Sequence, residues 1–335
     1  MGVFNSKAFD PLTDLPDLSG KVVIVTGGNR GIGYHTVRFL ALRGAKVYLA
    51  ARSEEKGRAA IEQLRQEVEV GEGEGEYANV SGMGNVEFLE LDLSDPKSAK
   101  RSAEEFLERE GRLDVLVNNG AILYAPYTKT AYDIQDVMVV NHLSTFGFTT
   151  TLLPLLRETA KLPDSDVRII TLSSEAHRLV DNNIRFRGRE DFNDEHASMF
   201  SPESGRYGRS KLANVLFTRE LQRRFDAEGV PIIALSLHPG GVKTDGWEEF
   251  TSHNTGFLKF FYTLLGSTFV SPDKGAYTPV FAAAASQVRQ QAEKYKGAYL
   301  MPPGKVVAAS KPADSEELAK ELWDTSESLL KEIEV

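Results

Sequence analysis

Lys21-Val22-Val23-Ile24-Val25 is an unbroken apolar, β-branched run that passes directly into Thr26-Gly27-Gly28-Asn29-Arg30-Gly31-Ile32-Gly33, and then into a helical pattern through Thr36, Val37, Leu40 and Ala41. A run of this kind suits a strand buried on both faces of a parallel sheet. Strand, glycine-rich turn and helix, in that order, let backbone approach a pyrophosphate and aim the free N–H groups of the helix start at the anion. The glycines at 27, 31 and 33 leave gaps of three residues and then one, which differs from the spacing G-x-G-x-x-G. A tight turn without a ligand is the plain alternative.

The pattern then repeats. Lys46-Val47-Tyr48-Leu49-Ala50 reads as a second strand, Val86 to Leu91 as a third, Leu113 to Val117 as a fourth, Val167 to Leu172 as a fifth and Pro231 to Leu237 as a sixth, with Gly297 to Leu300 as a last one. Helical patterns separate them: Glu54 to about Val68, Ala131 to Glu158, the run through Tyr207 to Gly229, Lys274 to about Glu293, and Ser315 to Glu332. Alternating strands and helices predict an α/β fold: a single Rossmann-type domain with a doubly wound parallel sheet of about seven strands and helices on both faces. The acidic, glycine-rich stretch from Gly71 to Gly84 reads as a surface insertion.

Strand ends carry the candidate binding residues. Where the second strand stops, an NAD-binding chain places an acid on the adenosine ribose; here stand Ala51-Arg52. A guanidinium grips a 2′-phosphate that a carboxylate would repel, and Arg30 could add a second charge, so NADP(H) is favoured over NAD(H). Two solvated arginines are the alternative. Asp92, which ends the third strand, could accept from an adenine amino group or cap the strand. Asn118-Asn119-Gly120 end the fourth, where small residues leave room for a cofactor. Ser173-Ser174 close the fifth, at the sheet edge where ligands bind in open α/β folds.

Tyr207 and Lys211 stand one helical turn apart on one face. A free tyrosine, with a pKa of about 10, is a poor base at neutral pH, and a fixed ammonium nearby draws the phenol toward the working range. That pair is therefore a candidate proton shuttle.

Composition narrows the function classes. The chain has 335 residues, 41% of them hydrophobic, enough for a substantial core, and a net charge of −9 that argues against a nucleic-acid partner. There is no cysteine, so disulfides and thiolate chemistry are excluded, and the six histidines lack metal-ligand spacing, so no metal site is expected. No secretory leader and no bilayer-spanning run is evident, and a soluble, cytoplasmic protein is expected. Met1-Gly2-Val3-Phe4-Asn5-Ser6 fits the loose myristoylation pattern, and Phe257 to Leu265 is apolar, so contact with a membrane surface is a secondary expectation.

Taken together, TGGNRGIG at 26 to 33, Asp92, Asn118-Asn119, Asn141, Ser174, Tyr207 with Lys211, and Pro239-Gly240 resemble the short-chain dehydrogenase/reductase family over about residues 18 to 305. Ser173-Ser174-Glu175-Ala176-His177 and Lys211 to Leu221 are similar to its retinol-dehydrogenase-like members. Asn119-Gly120-Ala121 departs from the usual Asn-Ala-Gly order, with little consequence expected. The resemblance implies that Ser174 hydrogen-bonds the substrate oxygen, Tyr207 moves the proton, Lys211 lowers the tyrosine pKa and binds the nicotinamide ribose, and Asn141 holds a water leading from Lys211 to solvent. It implies a cofactor site made by Gly27, Asn29, Arg30, Gly31, Ile32, Gly33, Arg52, Asp92, Leu93, Asn118, Asn119, Gly120, Pro239, Gly240, Val242 and Thr244, together with Tyr207 and Lys211.

The expected activity is NADP(H)-dependent interconversion of an alcohol and a ketone or aldehyde on an apolar small molecule. A catalytically silent dinucleotide-binding protein and a lipid-surface member of the family are the alternatives. Residues 1 to 17 are expected to form an arm, 18 to 305 the catalytic domain with an insert at 175 to 206 and a substrate-lid segment at 245 to 272, and 306 to 335 a C-terminal helical extension. Members of the family often pair helices, so a homodimer or homotetramer is also expected.

Overall fold

The computed structural model describes residues 9–71, 83–123, 125–199, 201–243 and 269–335. Eight strands form one sheet: β1 (Val22–Thr26), β2 (Lys46–Ala51), β3 (Val86–Glu90), β4 (Val115–Asn118), β5 (Arg168–Leu172), β6 (Ile233–Leu237), β7 (Tyr299–Met301) and β8 (Lys305–Val307). Their order is β3-β2-β1-β4-β5-β6-β7-β8. All neighbouring pairs from β3 through β7 are parallel, and only β7 and β8 run antiparallel. The sheet thus has one strand more than the sequence predicted. Lys305-Val306-Val307 is too short to carry a periodicity of its own, and it pairs only at the sheet edge.

Successive residues of a strand face opposite sides, so the continuous apolar runs feed two cores at once. Val22 and Ile24 pack with the helices Pro96–Arg109, Ser144–Ala160, Pro202–Glu228 and Glu316–Glu332. Val23 and Val25 pack on the other side with Gly31–Leu42, Glu54–Gly71 and Tyr277–Ala284. Single-domain α/β architecture with helices on both faces follows. The sheet reverses its winding between β1 and β4, which is where a crevice opens at the carboxyl ends of the strands.

Three details differ from the expectation. The helix read from Lys274 to Glu293 is broken into the segments Pro272–Gly275, Tyr277–Ala284, Ser286–Gln290 and Ala292–Tyr295. At the break between Ala284 and Ser286, Arg168, 1% exposed, donates to the carbonyl of Ala282 at 2.9 Å and of Ala285 at 3.0 Å, occupying acceptors that a continuous helix would use there. The helix read from Ala131 starts only at Asp136 and passes through a wide π-turn, Val139–Leu143, before Ser144–Ala160. In the expected arm, residues 9 to 17 are docked on the fold: Leu15 is buried and Phe9 packs edge-on against Phe281. Thr244, Gly2, the segment 257–265, most of the expected lid and residues 72–82 lie outside the described residues.

Candidate functional site

The site begins where β1 meets β4. The Thr26 hydroxyl oxygen accepts from the main-chain N–H of Asn119 at 3.0 Å and of Gly120 at 2.8 Å, and Asn119 Nδ2 returns a hydrogen bond to the Thr26 carbonyl at 2.7 Å. These bonds hold the glycine loop against the end of β4. Gly27 and Gly31 both take the left-handed backbone region, with φ of 64° and 55°. A Cβ on Gly33 would stand 2.2 Å from the Gly27 carbonyl oxygen and 2.6 Å from Asn119 Nδ2, so nothing larger than glycine fits there. The helix that follows, Gly31–Leu42, starts with no side-chain cap and no acid in its first turn, the state that favours an anion at the helix start.

Around this cradle the other expected binding residues take two kinds of place. Arg30 and Arg52 are exposed and Asn29 is half-buried, with Arg52 directly after the last residue of β2. Val242 is buried and faces Ile32 across Gly275, where an added Cβ would stand 2.6 Å from Val242 and 3.2 Å from Ile32. Pro239 and Gly240 follow β6 at the same sheet edge. Asp92, by contrast, has an oxygen engaged as a turn cap, accepting from Ser94 N at 2.9 Å and Ser94 Oγ at 2.7 Å, and Leu93 beside it is buried. Asn118 is also buried, its amide donating to Thr149 Oγ1 at 3.0 Å.

The four candidate catalytic residues come together along the long helix Pro202–Glu228, which Ser201 caps and Gly229 ends in the left-handed region. Lys211 is 3% exposed; its ammonium lies 5.5 Å from the Tyr207 ring centre and donates to the Leu172 carbonyl at 3.0 Å. Asn214, one turn on, donates to the same carbonyl at 3.0 Å. Ser173 turns inward and donates to the Lys211 carbonyl at 2.7 Å, whereas Ser174 is half-buried and accepts from Ala176 N at 3.2 Å as the cap of a short turn. Asn141 sits in the π-turn: its Oδ1 accepts from Ile122 N at 2.8 Å, and its Nδ2 donates to Ile122 O and to Ser210 Oγ, both at 2.9 Å. Ser210 in turn donates to the Tyr207 carbonyl at 2.8 Å.

Burial sets the electrostatics. It lowers the Lys211 ammonium from its usual range to about 7, so the charge is easily lost unless an anion stands beside it. It holds His142 at about 3 and His238 at about 4, both neutral imidazoles at physiological pH. Tyr299, on β7, is driven the other way by burial and by Glu175, whose carboxylate accepts its hydroxyl proton at 3.0 Å.

Sequence reasoning gave no role of their own to Thr26, Ser210, His142 and His177. Thr26 and Ser210 directly adjoin expected residues, and a small hydroxyl at a strand end or inside a helix is the one signal they gave. His177 donates from Nδ1 to the Ser174 carbonyl at 2.6 Å while its Nε2 accepts from Ser310 N at 3.0 Å, a tie that no local pattern reveals.

Fold and site together define a nucleotide-binding oxidoreductase, and the chain belongs to the short-chain dehydrogenase/reductase family, in its retinol-dehydrogenase-like branch. Residues 21–181 match the family described as short chain dehydrogenase. A short-chain dehydrogenase/reductase of Armillaria gallica is 45% identical, with 95% of each chain covered. Retinol dehydrogenase 11 of Homo sapiens is 36% identical over 95% of this chain and 88% of its own. Among solved structures, an uncharacterized protein from Mycobacterium Paratuberculosis is similar at 32% identity and a TM-score of 0.67, covering 96% of this chain and 97% of its own. The Pseudomonas aeruginosa RhlG/NADP active-site complex shares the fold at a TM-score of 0.60 and 23% identity, over 88% and 98% of the two chains. The family binds NAD(P), and the chain is an oxidoreductase of that family.

Proposed function

We propose that the protein interconverts an alcohol and a ketone or aldehyde on an apolar small molecule with NADP(H), and that Tyr207 carries the proton. The observation that carries this reading is the placement of the Lys211 ammonium, buried and 5.5 Å from the Tyr207 ring centre, on the Leu172 carbonyl at the carboxyl end of β5.

The residues fit a dinucleotide. The Gly33 contact that a Cβ would fill, the uncapped helix start and the two exposed arginines beside it suit a pyrophosphate and a 2′-phosphate. The residue directly after β2 is Arg52 and not an acid that would repel that phosphate. When bound, the nicotinamide supplies or takes the hydride. The chain's own residues handle the rest. Ser174 Oγ donates to the substrate oxygen and polarises it, and Tyr207 gives that oxygen its proton in reduction or removes it in oxidation. Lys211, in its charged form, favours the phenolate, and Asn141 fixes Ser210 and through it the main chain at Tyr207. Retinol, for which the human and mouse relatives are named, is an apolar alcohol, which supports an apolar substrate.

The test is a panel of apolar ketones, aldehydes and alcohols followed at the absorbance of the reduced nicotinamide, with NADP(H) and NAD(H) in parallel. Turnover that prefers NADP(H) is expected. Dinucleotide binding without turnover of any member would favour a silent binding protein instead.

A further inference from the structure

The π-turn Val139–Leu143 presents two neighbouring side chains to different parts of the molecule. Asn141 meets Ile122 and Ser210, while His142 meets the C-terminal helix. His142 is 1% exposed, and its Nε2 lies 2.7 Å from Ser326 Oγ, 184 residues further along the chain. Ser326 donates its own proton to the Leu322 carbonyl at 2.7 Å, so its oxygen is left as the acceptor and His142 donates from Nε2. The imidazole is wedged among Phe146, Phe192 and Phe217, each with its ring centre 6.0 Å away, and Trp323 of the C-terminal helix packs on two of the three.

A π-turn is a rare single-turn interruption of an α-helix, met mostly at functional sites, and this one has support from outside itself. Ser326 supplies that support from one side and the Asn141 bonds from the other. We infer that Ser326, acting through His142, is a positioning residue for the reaction centre: the C-terminal helix pins the wide turn and thereby aims the Asn141 carboxamide at Ile122 and Ser210. This rests on the function proposed above. The tie between Ser174 and Ser310 through His177 is of the same kind, so the last segment of the chain holds two of the four candidate catalytic residues by way of a histidine near each.

The experiment uses the full chain as wild type, Ser326→Ala, Asn141→Ala and the double variant. Ser326→Ala is expected to lower kcat by about tenfold, as a small misplacement near the chemistry does, with KM for NADPH changed by less than about twofold. It should also speed hydrogen exchange at the Ile122 amide, which donates to Asn141, by more than at the amides of β1. In the Asn141→Ala background the Ser326 change should cost no further rate. His142→Gln, which keeps a donor near the same place, should retain the rate that His142→Leu loses. An unchanged kcat and Ile122 protection in Ser326→Ala, an equal rate loss in both backgrounds, or equal rates for the two His142 variants would each overturn the inference. If the wild type turns over nothing while Ser326→Ala still exposes Ile122, the tie is upheld and the proposed reaction is what has failed.

Discussion

Ser173 and Lys211 are joined, hydroxyl to main-chain carbonyl, at 2.7 Å, while the next residue, Ser174, keeps its hydroxyl at the half-buried mouth of the site. Adjacent residues of a strand end face opposite ways, so Ser173 serves the fold, and Ser174 is the one proposed to meet the substrate. Ser174→Ala is expected to lower kcat by about a hundredfold with dinucleotide affinity unchanged. Ser173→Ala should cost about 1 kcal/mol of stability and little rate. Steady-state kinetics and urea unfolding of the two variants check this, and the reverse ranking would hand the substrate oxygen to Ser173.

Tyr207→Phe keeps the ring beside Lys211 and removes only the hydroxyl. Turnover should fall by about a thousandfold, within the range of general acid–base contributions, and NADPH titration by fluorescence should still show binding. Near-normal turnover would remove Tyr207 as the proton carrier.

Arg52 is exposed at the end of β2, where the adenosine ribose is expected. Arg52→Asp should shift the ratio of kcat/KM for NADPH over NADH by about ten- to a hundredfold toward NADH, the worth of one charge-assisted contact. A ratio that does not move places the 2′-phosphate elsewhere.

Lys211 also predicts a pH effect on the ligand-free protein. Its ammonium is lowered by burial from 10.5 to about 7. Between those values the unfolded chain holds the proton and the folded chain does not, so the unfolded state binds more protons and stability rises with pH across that window. The lysine's full cost is felt below about pH 7 and has gone above 10.5. Lys211→Met should therefore gain on the wild type in urea unfolding at pH 7, and that gain should shrink at pH 9. A difference that stays flat would mean the folded chain keeps this amine charged.

Much of this was readable in the order of residues because the physics there is local. Val22 to Val25 and Ile169 to Leu172 declare buried strands by their own composition, and Gly33 declares a close backbone approach. What escaped reading depends on partners far away. The break at Ala285 is filled by Arg168 from β5, and the wide turn at Asn141 looks like plain helix because a single inserted residue hardly alters the apolar spacing. The bond from His142 to Ser326 spans 184 residues and that from His177 to Ser310 spans 133, distances at which only the folded chain brings donor and acceptor together.

The Leu172 carbonyl receives two donors at once, from side chains three residues apart on one helix. The end of β5 and the helix bearing Tyr207 are thereby tied together at one point. Changes of substrate preference, by selection or by design, can accordingly be sought in the loops that border the crevice while this unit, with Lys211 set beside Tyr207, is carried along unaltered.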